Sequence, residues 1–215
     1  MTTELATIAD LPIAPSKFAT PEALSKLTTS SYISRIQLMG GNSEIVKEGK
    51  FPIGHFALVV GKTYEDLTSE FNAVVLAWRP KAMQFQPEIL SSYDPESTLF
   101  KKFVERAASE SNSGCGYGPE FLFWLPDYEK FGLFFCSNIT ARNEAPNIAA
   151  LMRKVCTVRS ELIKTKKYTW HGPRITKCDA EVKVPSIEVL SEILNKFCNP
   201  PAVEAEPAEQ ENRDR

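Results

Sequence analysis

The stretch 121–177, FLFWLPDYEKFGLFFCSNITARNEAPNIAALMRKVCTVRSELIKTKKYTWHGPRITK, decides how this chain is read. Two kinds of residue that rarely share a segment are interleaved in it. Rings come first, with Phe121, Phe123, Trp124, Tyr128, Phe131, Phe134 and Phe135. Cations follow, with Arg142, Arg153, Lys154, Arg159, Lys164, Lys166, Lys167, Arg174 and Lys177, and Tyr168 and Trp170 stand among them. From Arg153 to Lys183 nine Lys or Arg face three acids (Glu161, Asp179, Glu181), a local net charge of +6 in a protein of net charge −2. Flat rings beside cationic side chains suit single-stranded nucleic acid, whose bases stack on aromatic faces while its phosphates need cations. The competing reading makes the rings core and the lysines a solvated strand face.

Local order in this stretch reads as two hairpins around a helix. Residues 120–125 and 131–137 flank Pro126-Asp127, a turn signal between two aromatic runs. Residues 155–164 and 168–177 flank Thr165-Lys166-Lys167. In the first strand of that pair, Cys156, Val158 and Leu162 share one parity and Thr157, Arg159 and Glu161 the other, and Tyr168 and Trp170 share a face in the second. Between the hairpins, Ile148, Leu151 and Met152 have helical spacing. Pro146 has no amide hydrogen and crowds the preceding turn, so the helix is expected to begin near Glu144 or Ala145.

Upstream, residues 32–39 suit a strand closed by Gly40-Gly41, and Asn42 or Ser43 can cap a short helix ended by Gly49. Residues 54–60 and 71–78 are short apolar runs of buried-strand type. The second run leads into Arg79-Pro80-Lys81, which places Trp78 and two cations at a strand end, another candidate contact point. Asp94-Pro95 ahead of Leu99, Phe100, Phe103, Val104 and Ala107 predicts a helix capped by Asp94. Residues 111–119 hold three glycines in five residues but lack the Gly-Lys-Ser/Thr ending of a phosphate loop, and read as a loop leading into a strand. Residues 185–197 form an amphipathic last helix with Ser186 as cap and Ile187, Leu190, Ile193, Leu194 and Phe197 as its apolar stripe.

The ends have a different composition. Residues 1–30 read as a flexible N-terminal arm, 31–198 as one domain, and 199–215, with five acids and two arginines, as a disordered acidic tail. No apolar run of membrane-spanning length and no secretory signal is visible, which points to the cytoplasm. The five dispersed cysteines lack a C-x-x-C pair and read as free thiols. His55 and His171 are the only bases that titrate near neutrality; His55 lies in an apolar strand and His171, in a basic segment, has no carboxylate at short spacing, so catalysis, a metal and a cofactor are not expected.

Several segments resemble tailed-bacteriophage single-stranded DNA-binding proteins of the OB-fold type: RIQLMGGNS (35–43), VKEGK (46–50), VVLAWRPKA (74–82), EFLFW (120–124) and YTWHGP (168–173). The resemblance implies a small five-stranded β-barrel with flanking helices and an acidic tail that contacts replication or recombination proteins. It also implies binding of single-stranded DNA without catalysis, in the host cytoplasm. The tail departs from that pattern in ending Arg-Asp-Arg. Together, residues and resemblance predict a mainly β fold with α insertions and an OB-like barrel that binds single strands largely without sequence preference. The contact residues expected are Trp78, Arg79, Lys81, Trp124, Tyr128, Arg142, Arg159, Lys164, Lys166, Lys167, Tyr168, Trp170, Arg174 and Lys177. The alternative is a phage structural or assembly protein whose rings are core and whose arm and tail contact neighbouring subunits, and the oligomeric state is left open.

Overall fold

A strand whose two faces are both apolar needs cover on both sides, and the run 121–125 is such a strand. In the computed structural model, which describes residues 33–86, 88–110, 113–200 and 203–205, it forms the end of β6 (Cys115–Leu125). Phe121, Phe123 and Leu125 enter one core while Leu122 and Trp124 enter another. Around it, in chain order, lie β1 (Ser34–Leu38), α1 (Glu44–Lys47), β2 (Phe56–Val60), β3 (Thr63–Asp66), β4 (Glu70–Gln84), β5 (Leu90–Ser92) and α2 (Thr98–Ser109). After β6 come β7 (Lys130–Phe135), α3 (Ile139–Ala150), β8 (Val155–Lys164), β9 (Thr169–Lys177), α4 (Ile187–Cys198) and β10 (Val203–Ala205).

All ten strands belong to one sheet, ordered β10-β5-β4-β6-β7-β1-β2-β3, with β8 branching from β4 and β9 paired to β8. The pairings are antiparallel except for β1 with β7. The branch exists because β4 is 15 residues long. One edge of β4 pairs with β6 from Val74 to Gln84, while the other gives Glu70–Val74 to β8 and its last three residues to β5. A bulge between Val75 and Ala77 adds local twist.

The sheet curls around the first core, where Phe56 meets Phe71 edge-on at 5.2 Å and Phe121, Phe123 and Phe134 stack in series. Ala141, Ala145 and Ile148 of α3 pack into this core from the open side. On the outer face, Leu190, Ile193, Leu194 and Phe197 of α4 cover Val74, Leu76, Leu122, Trp124 and Val155. Each such aliphatic or aromatic side chain contributes about 1.5–3 kcal/mol when fully buried. The fold is thus mainly β with helical insertions, but the sheet stays open. No ladder joins β3 to β9 among the described residues, so the strands do not close into a small barrel.

Several boundaries differ from expectation. α3 begins at Ile139, with Asn138 accepting the Ala141 amide (2.9 Å), and carries Pro146 inside it. Burial of Ala141 and Ala145 against β9 and β6 outweighs the hydrogen bond lost at the proline, which faces solvent. β4 does not stop at Trp78 but runs on through Pro80, which lies opposite Pro119, and the Pro119 carbonyl accepts the Cys136 amide at 2.9 Å. The glycine-rich segment is strand from Cys115 onward, and Gly118, with φ at 155°, lies so close to Cys136 that a Cβ would sit 2.1 Å from its carbonyl oxygen. Ser97 rather than Asp94 caps α2, its hydroxyl accepting from Phe100. Within the stretch read as a disordered tail, Val203–Ala205 pair with β5. The N-terminal arm, residues 201–202 and 206–215 of the tail and part of the 111–119 loop lie outside the described residues.

Candidate nucleic-acid interface

The β8–β9 hairpin is long relative to the core that supports it. Cys156, Val158 and Ile175 at its base are buried, whereas from Leu162 to Trp170 most residues face water. Register pairs Lys164 with Thr169 and Ile163 with Trp170, so Tyr168 belongs to the turn. That turn is hydrogen-bonded: the Thr165 amide donates to the Tyr168 carbonyl (2.8 Å), and the Tyr168 amide donates to the Thr165 hydroxyl (3.0 Å). The tip therefore presents rings on an ordered frame. Tyr168 is 71% exposed and Trp170 37%. Lys164, Lys166 and Lys167 are exposed beside them and take part in no ion pair with the described residues.

Toward the base of the hairpin the charge is neutralised. Arg159 pairs with Glu161 at 2.6 Å, Arg174 with Glu161 at 3.0 Å and Glu144 at 3.1 Å, and Lys177 with Asp179. Hydrogen bonds from Arg174, and then Arg159, hold the Glu161 carboxyl below the usual range. Glu144, buried on α3, also accepts the Ile175 amide at 2.9 Å. A helix side chain thereby satisfies one amide on the outer edge of β9. Arg159, Arg174 and Lys177 retain exposed surface, but they lie away from the tip, Lys177 opposite Cys156 at the base, and their charges are already met.

The other expected contact residues are not gathered with these. Trp124 is 7% exposed, packs on Phe131 at 5.0 Å and donates its indole hydrogen to the Lys183 carbonyl at 2.8 Å, so it is core. Arg79 and Lys81 are also withdrawn from solvent. The Arg79 Nη2 and Lys81 Nζ groups lie 2.7 and 2.9 Å from the two oxygens of buried Glu120. The Arg79 guanidinium sits over the Tyr93 and Phe197 rings at 3.8 and 4.4 Å, and its Nη1 donates to the Phe197 carbonyl at the end of α4. A cation at a helix C-terminus meets the negative end of its dipole. Trp78 is 52% exposed, but strand alternation turns it to the face opposite those two cations.

Tyr128 lies half-buried in the β6–β7 turn. Burial, and then the charges of Asp66, Asp127 and Glu65, push its phenol up, an acidic setting unsuited to phosphate. Arg142 stacks over Tyr117 at 4.5 Å and donates to the Tyr117 and Ser137 carbonyls, which fastens the start of α3 to β6.

Two residues near the tip escape sequence reasoning. The Trp170 indole donates to the Thr140 hydroxyl at 3.1 Å, and Ile139 beside it is exposed. Only the Asn138 cap could have placed a helix start there, and Pro146 argued against it. The histidines have other partners, His55 with Asp66 (3.0 Å) and His171 with Ser160 (2.9 Å). All five thiols are free, and burial raises those of Cys136 and Cys156 to about 12. Among the described residues, no group of three or more His, Cys, Asp or Glu is placed to hold a metal ion, and no helix is long and apolar enough to cross a membrane. Compared with protein-family models, curated proteins and solved structures, the chain matches none.

Proposed function

We propose that this protein binds single-stranded nucleic acid through the tip of the β8–β9 hairpin, and that it does so without catalysis. The observation that carries the reading is the combination at one tip of two exposed rings with three lysines that no acid among the described residues neutralises. Bases unstacked in a single strand can lie on Tyr168 and Trp170 while the lysines meet the phosphates, an arrangement that tolerates any sequence. In a duplex the base faces are already covered, which leaves only the charge.

The segments similar to phage single-stranded DNA-binding proteins support the narrower form of the proposal, a role in phage DNA replication or recombination in the host cytoplasm. The curled, mainly β scaffold supports it as well, serving as an OB-like platform whose closure is not needed for a contact made at a hairpin tip. The test is a titration of the full-length protein against fluorescein-labelled oligo-dT and a hairpin duplex over a range of salt. Single strands should bind more tightly than duplex. Replacing Lys164, Lys166 and Lys167 with alanine should flatten the plot of log K against log[salt] by about 2, at roughly 0.7 per phosphate contact. Equal affinity for both forms, or a slope unchanged by the triple substitution, would overturn the proposal.

A further inference from the structure

We infer that the first turn of α3 belongs to the same surface, with Thr140 as a positioning residue for Trp170 and Ile139 as a third contact for an unstacked base. The inference rests on the reading of the hairpin as a nucleic-acid site. An indole on a protruding strand has several rotamers open to it, and holding one in place before the ligand arrives lowers the entropy lost on binding. Here the restraint comes from 30 residues away in sequence, where the Thr140 hydroxyl accepts the Trp170 indole hydrogen at 3.1 Å.

The backbone is shaped to bring these groups together. A Cβ on Gly172, two residues along the strand from Trp170, would lie 2.6 Å from the Thr140 methyl carbon and 2.7 Å from Cδ1 of Ile163. Only a bare Cα lets the helix start approach β9 so closely. Farther along, Glu144 of the same helix holds Arg174 and the Ile175 amide, so α3 and β9 are joined at both ends of their contact. The tryptophan is therefore anchored through its edge to a helix that is itself fixed in the core.

Ile139 is the counterpart on the helix. It is 68% exposed, the most exposed large aliphatic side chain among the described residues, and it directly precedes Thr140. Ala141, two positions on, is the first α3 residue buried in the core, so nothing in the helix pattern requires an isoleucine at the start. One residue before the hydroxyl that holds the indole, an exposed aliphatic side chain can cover the face of a base that has left its neighbours, as apolar wedges do between base steps. The occupant that suits these groups is a single strand with separated bases.

The test uses the full-length protein labelled with 5-fluorotryptophan and fluorescein-labelled oligo-dT as the probe. Thr140→Val should weaken binding about three- to tenfold, the range of one ordinary hydrogen bond. It should also shift or broaden the fluorine signal of Trp170, identified by its loss in Trp170→Phe, and Thr140→Ser should restore both. Ile139→Ala should weaken binding by a similar factor with an unchanged Tm. Should Thr140→Val melt early, Ile139→Ala decides the role of α3, because its side chain is exposed and its loss leaves the core intact. Affinity unmoved in Thr140→Val and Ile139→Ala while Trp170→Ala still binds poorly would overturn the role of α3 and leave the hairpin site standing. Affinity unmoved in Trp170→Ala and in the triple lysine variant would instead remove the hairpin site itself.

Discussion

Two clusters in this molecule combine cations with rings, and they have opposite uses. On β4, Arg79 and Lys81 share the Glu120 carboxylate inside the fold, under the Tyr93, Phe135 and Phe197 rings. At the hairpin tip, Lys164, Lys166 and Lys167 stand beside Tyr168 and Trp170 in solvent. Both combine cationic side chains with aromatic rings. What separates them is a buried acid and a covering helix in the first case and neither in the second. A cation inside a protein must be neutralised or it costs several kcal/mol, so a well-paired buried cluster holds elements together and has little left for a ligand. A cation in water costs nothing to leave unpaired and remains available to phosphate.

The comparison is tested hardest by Glu120→Ala. That substitution leaves two cations facing each other between β4, β6 and α4, and removing one partner of a buried ion pair typically costs about 3–5 kcal/mol. Urea unfolding should show this loss, and a variant as stable as the parent would mean that the cluster is effectively solvated. Next comes the contrast between two tryptophans. Trp124→Ala should cost about 3–5 kcal/mol of stability as a core truncation. Trp170→Ala should melt close to the parent but lose about 1–3 kcal/mol of binding to single strands, the usual contribution of one stacked base. Tm and affinity measured on the same samples decide whether stability and binding divide in this way.

A smaller effect is expected from Glu161→Gln, which would move the base of the hairpin toward the character of its tip. Freed of that carboxylate, Arg159 and, in part, Arg174 could meet phosphate, so affinity should rise and the salt slope steepen by about 0.7 for each additional phosphate neutralised. A titration showing unchanged affinity and slope would mean that these arginines lie outside the path of the ligand. The pH dependence follows from the direction of the Glu161 shift. Its folded-state pKa lies below the unfolded value, so its pairing stabilises the fold above the ordinary carboxylate range and is lost as pH falls through the lower, folded value. Parent and Glu161→Gln should therefore differ in affinity at neutral pH and converge only in acid.

Most strands and helices could be read locally. The aromatic run 120–125, the Pro126-Asp127 turn, the parity of Cys156 with Val158 and the α4 stripe from Leu190 to Phe197 sit where the local pattern put them, whereas Ile187, read as the first member of that stripe, is 47% exposed. β3 and β5 were not legible, since each has four residues or fewer with little apolar content and forms because β2 and β4 offer it an edge. The start of α3 was misread because the penalty at Pro146 is local, while the burial of Ala141 and Ala145 that offsets it depends on β6 and β9.

By itself, the sequence determined the mainly β character, the positions of both hairpins and the enrichment of 153–183 in positive charge, because these depend on side-chain period and composition over a few residues. It could not assign the three tryptophans their places or tell which cations would remain unpaired. Glu120 reaches Arg79 from 41 positions away, the Phe197 carbonyl reaches it from 118, and Thr140 reaches Trp170 from 30. Exposure and charge neutralisation are set by such distant partners, so only the tertiary structure decided which cluster became core and which became surface.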